Sequence, residues 1–197
     1  MNLSEDYVAR VSKQFENHDM TVQAMFVLAA GILTDICYGR AADKVLGRAK
    51  AFEVANVAWV MIGEYTTKLM SERLGILKVE NFDNLKKIIT AAYTAWMLPL
   101  NILEDTQDIF LYECLSCPFP AYGIGKFDVK TDDRTCRVWQ AMTPAWLVGI
   151  IKEAGFADSY EPEIYSAICR GDSCCKVAVK KKVERKPDWQ SMASGLE

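Results

Sequence analysis

Histidine is almost missing from this sequence. His18 is the only one, in a polar stretch at the end of the first predicted helix, where an exposed side chain is expected. Its scarcity excludes most imidazole chemistry: a Ser-His-Asp triad, a Cys-His dyad or a multi-histidine zinc site would all depend on that one residue. A large excess of one charge is also missing. The formal net charge is −3, which offers no general affinity for nucleic acid, and no nucleic-acid partner is expected. Long apolar runs are missing too. The longest, AMFVLAAGILT over 24–34, is too short for a bilayer span, so a buried helix and no membrane partner are expected. No basic segment precedes an apolar run near the start, so no export signal and a cytoplasmic location are expected.

What is present suits a folded domain. Hydrophobic residues make up 51% and charged residues 25% of 197 residues, enough for one sizeable core. The first half is helical by periodicity, with helices predicted over 3–17, 20–37, 41–74 and 81–98. Tyr38-Gly39 marks a break or kink between the second and third. Gly75 follows the long third helix where a C-terminal glycine belongs. Asn81 or Asp83 opens the fourth, and Pro99 stops it. After Pro99 the character changes. DIFLYECL (108–115) has strand composition, 116–132 reads as a loop, and 133–154 reads as a helix with Pro144 inside. EIYSAICRGDSCCKVAVKK then gives two strand-like runs around a turn at Arg170–Ser173. The basic run Lys176, Lys180, Lys181, Lys182 and Arg185 is expected to protect an edge strand.

The expected fold class is α+β, one domain over 1–183. Its helical part is 1–98 and its cysteine-rich strand-helix-hairpin part 99–183, in a small antiparallel sheet. A polar tail over 184–197 is expected to be loosely ordered.

Seven cysteines, an odd number without an export signal, argue against a disulfide framework. Six lie in the second half: Cys114, Cys117, Cys136, Cys169, Cys174 and Cys175. Cys136 falls in the first turn of a predicted helix, where backbone N–H groups favour thiolate. In a regular strand Cys174 and Cys175 point to opposite faces. Cys117, Cys136, Cys169 and Cys175 form one candidate set for zinc, with Glu163 as an alternative oxygen ligand. Cys114, Cys117, Cys136 and Cys169 form a candidate set for an iron–sulfur cluster. Buried apolar thiols remain the alternative to both. Trp59, Trp96, Phe110, Tyr112, Trp139 and Trp146 would line an apolar pocket between helices and sheet, or fill a core.

Two blocks carry a resemblance. YGRAADKVLGRAKAFEVANVAWVMIGEYTTKLMSERLG (38–75) resembles the long N-terminal helix of the L-2-amino-thiazoline-4-carboxylic acid hydrolase-like family. Cys117-Pro118, Cys136 at the next helix start and GDSCCKVAV (171–179) are similar to that family. They are also similar to the 4-vinyl reductase-type small-molecule-binding domains. In sensor members of the second group, the cysteines matching Cys136 and Cys175 join another cysteine and a glutamate on zinc. Here the usual earlier hairpin cysteine falls at Ala167, with Cys169 two positions later, and Glu163 is near but not at the glutamate position. Either Cys169 or Cys117 substitutes, or the metal is absent. The hydrolase resemblance implies action on a small cyclic C–N substrate, for which Glu163, Asp172, Glu113 or a zinc-bound water would activate the nucleophile. The vinyl reductase-type resemblance implies a non-catalytic sensor or carrier with a structural zinc. An iron–sulfur or redox protein is the third reading. Apolar stripes on long helices suit a homodimer.

Overall fold

Glycine and asparagine set the ends of the helices that open the fold. The computed structural model describes residues 31, 34, 37–96, 98, 100–114, 133–168 and 172–183, with 133–142 described by backbone alone. A helical stretch over 37–46 leads to helix α1 (Arg48–Leu74) and then helix α2 (Phe82–Ala95). Strands β1 (Asn101–Asp105) and β2 (Ile109–Cys114), helix α3 (Asp133–Glu153), and strands β3 (Tyr160–Ser166) and β4 (Cys175–Lys181) follow. The helix expected over 41–74 is interrupted at Gly47, whose φ of 76° leaves the helical region. Tyr38 and Gly39, expected to mark the break, are helical instead. Gly75 does end α1, at φ 67°, and the Ile76 N–H reaches back to the Ser71 carbonyl at 2.9 Å.

Helix α2 is capped by Asn81, whose side chain accepts the Asn84 N–H at 2.9 Å, with Asp83 in the first turn favoured by the helix dipole. It ends at Ala95 rather than at 98. Leu85, Ile88, Ile89, Ala92 and Tyr93 recur at helical spacing and are all buried. Helix α3 runs through Pro144 and buries Trp146, Leu147, Ile150 and Ile151.

The sheet is antiparallel, in the order β1-β2-β4-β3. The α+β class stands, and the strand at 109–114 joins the hairpin as expected. β1 is not foreshadowed by sequence: its five residues are all exposed and show no alternation. The lysines suit an edge strand by sequence, but β4 is central, and the edges are β1 and β3. Pro162, which cannot donate to a ladder, lies on the edge strand β3. The connection between β3 and β4 is longer than the expected four-residue turn, because β3 ends at Ser166 and β4 starts at Cys175. Phe110, Tyr112 and Cys114 of β2 and Cys175, Val177 and Val179 of β4 face the core with α2 and α3. The predicted helix at 3–17, that at 20–37 apart from residues 31, 34 and 37, His18, the loop over 116–132 and the tail over 184–197 lie outside the described residues.

Candidate functional site

Strand pairing decides which thiols meet. In the β2–β4 ladder Cys114 stands directly opposite Cys175, and both are buried. The Ile168 N–H points to the Cys175 sulfur at 3.3 Å, a contact suited to a thiolate. Burial pushes the Cys114 thiol up to about 12, and Cys175 and Cys174 add to the shift. Cys174 turns to the other face, as strand alternation requires. There its sulfur lies 3.6 Å from Glu113 Oε2, and its carbonyl accepts the Ser166 hydroxyl at 2.9 Å. Cys136 occupies the first turn of α3, as expected, but its side chain, with Cys117 and Cys169, lies outside the description. Among the described residues no three histidine, cysteine or acidic side chains group as metal ligands.

The three candidate carboxylates are held in separate polar contacts. Glu163 pairs across the sheet with Ala178 and so lies on the face away from Cys175, where Lys180 Nζ contacts it at 2.6 Å. That bond, joined by Tyr165, holds the carboxyl of Glu163 below its ordinary range. The sheet therefore does not bring Glu163 and Cys175 into one ligand shell. Asp172 accepts the Ala167 N–H at 2.8 Å, a bond that closes back across the connection before β4. Glu113 accepts the side-chain amide of Asn101 at 2.8 Å.

The aromatic candidates do come together. Tyr112 donates or accepts a hydroxyl bond with Tyr93 at 3.2 Å, and Tyr93 lies edge-on to both Tyr112 and Trp146 at 5.2 Å. Phe110 packs against Tyr112 at 5.1 Å. Phe110, Tyr112 and Trp146 are filled core. Trp59 and Trp96 are different. They are half-buried at the margin of this cluster, tilted at 39° with ring centroids 6.4 Å apart. Trp139 lies in α3, its side chain outside the description. Sequence reasoning places Tyr93 on the apolar stripe of α2, by its spacing from Leu85 and Ile89, but not among the site residues. An open groove of about 960 Å³ lies at the ends of α1 and α3, lined by Thr67, Ser71, Ile76, Val79, Glu153 and Phe156 among others. None of the expected site residues lines it.

No helix among the described residues is long and apolar enough to cross a membrane. No protein-family model and no curated protein matches this chain. Solved structures do. A trafficking protein particle complex subunit 3 from Naegleria fowleri, covalently bound to palmitic acid, is similar at 12% identity and a TM-score of 0.56, over 85% of this chain and 99% of that one. The phenol-responsive sensory domain of the transcription activator PoxR, with phenol, is similar at 13% identity and a TM-score of 0.53, over 86% of this chain and 81% of that one. At these identities the likeness is one of fold.

Proposed function

We propose that this chain is a small-molecule-binding domain that works without catalysis, and that its ligand is a small, planar, largely apolar molecule. The observation that carries this reading is the Trp59–Trp96 pair, half-buried where it packs against the margin of the core that holds Tyr93, Tyr112 and Trp146. Two tilted indoles at the margin of a core suit an aromatic ring that stacks on one and meets the edge of the other. The fold likeness to the phenol-responsive domain supports the reading, since that structure holds phenol. The alternative, hydrolysis of a thiazoline or amidine-type bond, is favoured less, because Glu163, Asp172 and Glu113 are committed to separate structural contacts.

A structural zinc belongs to the same proposal. Cys175 has the burial and the N–H contact that suit a thiolate ligand, and Cys117, Cys136 and Cys169 would complete the set expected from sequence. Such a metal would tie the β3–β4 connection to α3 and take no part in chemistry. An iron–sulfur cluster is the weaker metal proposal.

Titration with phenol and with thiazoline carboxylates, followed by tryptophan fluorescence and calorimetry, tests the binding reading. Saturable phenol-class binding that Trp96→Ala weakens tenfold or more, about 1.4 kcal/mol, is expected. Multiple turnover of a thiazoline substrate would replace this reading with the hydrolase. Metal analysis with an absorbance spectrum separates zinc, near one equivalent and colourless, from a brown cluster.

A further inference from the structure

We propose that the outward face of α1 is a self-association surface, on which a second copy of this chain packs antiparallel about a twofold axis at Met61. The helix is apolar on two opposite sides. One side, around Gly63 and Thr67, is buried against α3. The other runs through Val54, Val57, Met61, Tyr65 and Leu69, in three- and four-residue steps, and these side chains are between 48% and 65% exposed. This stripe extends for about 22 Å. A continuous apolar strip of that kind on a surface helix marks a contact surface.

The charges at its ends choose the occupant. Lys50 lies four residues before Val54, and Glu72 three residues after Leu69, so both continue the line of the stripe. Neither is ion-paired among the described residues, whereas Glu64 bonds to Lys152, and Lys68, on the stripe's own side beside the Tyr65 ring, reaches Glu153. Lys50 and Glu72 are each eleven residues from Met61, and Val57 and Tyr65 are each four. An antiparallel copy therefore sets Lys50 beside the partner's Glu72, and Val57 beside the partner's Tyr65, twice over by symmetry. A parallel copy would set lysine against lysine and glutamate against glutamate. Lys50, Val57, Tyr65 and Glu72 are thus complementary to their own reverse, while Val54 and Leu69 fall beside the partner's Lys68 and Glu53, whose methylene stems can cover them.

Analytical ultracentrifugation of the full chain over a range of concentrations, with circular dichroism as a folding control, tests this. The wild-type chain is expected to dimerise reversibly. Lys50→Glu and Glu72→Lys are each expected to weaken the dimer about tenfold, and the double variant K50E/E72K to restore it. Met61→Asp is expected to give a folded monomer. Met61→Cys under mild oxidation is expected to yield a peptide linked residue 61 to residue 61, read by mass spectrometry of a digest. A wild-type chain monomeric at every concentration overturns the proposal. So does a dimer that survives Met61→Asp, or one in which the two charge reversals add instead of cancelling.

Discussion

Gly63 and Gly149 meet backbone to backbone where α1 crosses α3. A Cβ on Gly63 would stand 2.2 Å from the Trp146 carbonyl oxygen and 2.9 Å from the Cα of Gly149. A Cβ on Gly149 would stand 2.0 Å from the Val60 carbonyl oxygen. Both obstacles are main chain, so a side chain there forces the helices apart. Beside this crossing, the buried Thr67 hydroxyl bonds the Gly63 carbonyl at 3.0 Å, and the Trp146 indole N–H donates to Thr66 Oγ1 at 3.1 Å. Separation would therefore loosen polar contacts as well as packing.

Gly63→Ala and Gly149→Ala are each expected to lower unfolding free energy by about 1–3 kcal/mol, despite alanine's better helix propensity. Gly39→Ala, in a helix with open space around the added carbon, is expected to raise it by about 0.5 kcal/mol. Urea denaturation of the three variants checks the contrast. Equal effects at all three sites would deny the close approach.

Lys86 ties α2 to the sheet. Its buried ammonium contacts Asp83 at 2.7 Å and also Asp105, and it lies 5.2 Å from the centre of the Phe82 ring. Burial alone would lower the lysine's pKa, but the bonds to Asp105 and Asp83 outweigh it and hold it above 10.5. Its contribution is full below that value and lost as pH rises through the folded one. The bond to Lys86 holds Asp83 below 3.8, so the carboxylate's contribution is present above 3.8 and lost as pH falls through the folded value. Lys86→Met is expected to destabilise the fold by about 1–2 kcal/mol at neutral pH. It should also flatten the fall of stability below pH 3.8, measured by denaturation at a series of pH values.

The hydroxyls of Tyr93 and Tyr112 satisfy each other inside the core, and burial drives both far above the ordinary tyrosine range. Either single change to Phe strands the remaining hydroxyl, at a cost of about 1–2 kcal/mol. The double change is expected to cost less than the two singles together. A double-mutant cycle measures the coupling, and additive losses would mean that the pair shares no bond.

Cys114 is expected to resist thiol reagents in the native state at about pH 8, while the exposed Cys37 reacts. Its raised pKa favours the neutral thiol in the fold. The resulting stability is full below the ordinary value of 9.0 and is lost as pH rises towards about 12. Time-resolved alkylation with mass spectrometry gives the order of reaction. Cys114 modified as fast as Cys37 would contradict its burial.

Local chemistry was legible where a few neighbouring residues decide the outcome. Asn81, Gly75 and the spacing of Leu85, Ile88, Ile89 and Ala92 mark ends and faces of helices, because capping and periodicity act within one or two turns. The opposite faces of Cys174 and Cys175 follow from strand alternation alone. β1 escaped notice because a short polar strand gains its structure from the neighbour it pairs with, not from its own pattern.

The sequence by itself determined an α+β chain with helices first, a strand at DIFLYECL that joins the C-terminal hairpin, and thiols concentrated in the second half. Tertiary structure alone decided that β4 is central, that Cys114 faces Cys175, and that Glu163 lies with Lys180 on the opposite face. It also decided that Gly63 meets Gly149 across 86 residues. The reason is physical. Local preferences depend on bonds and sterics a few residues long, whereas strand order, register and helix crossing are settled by which distant surfaces exclude water together.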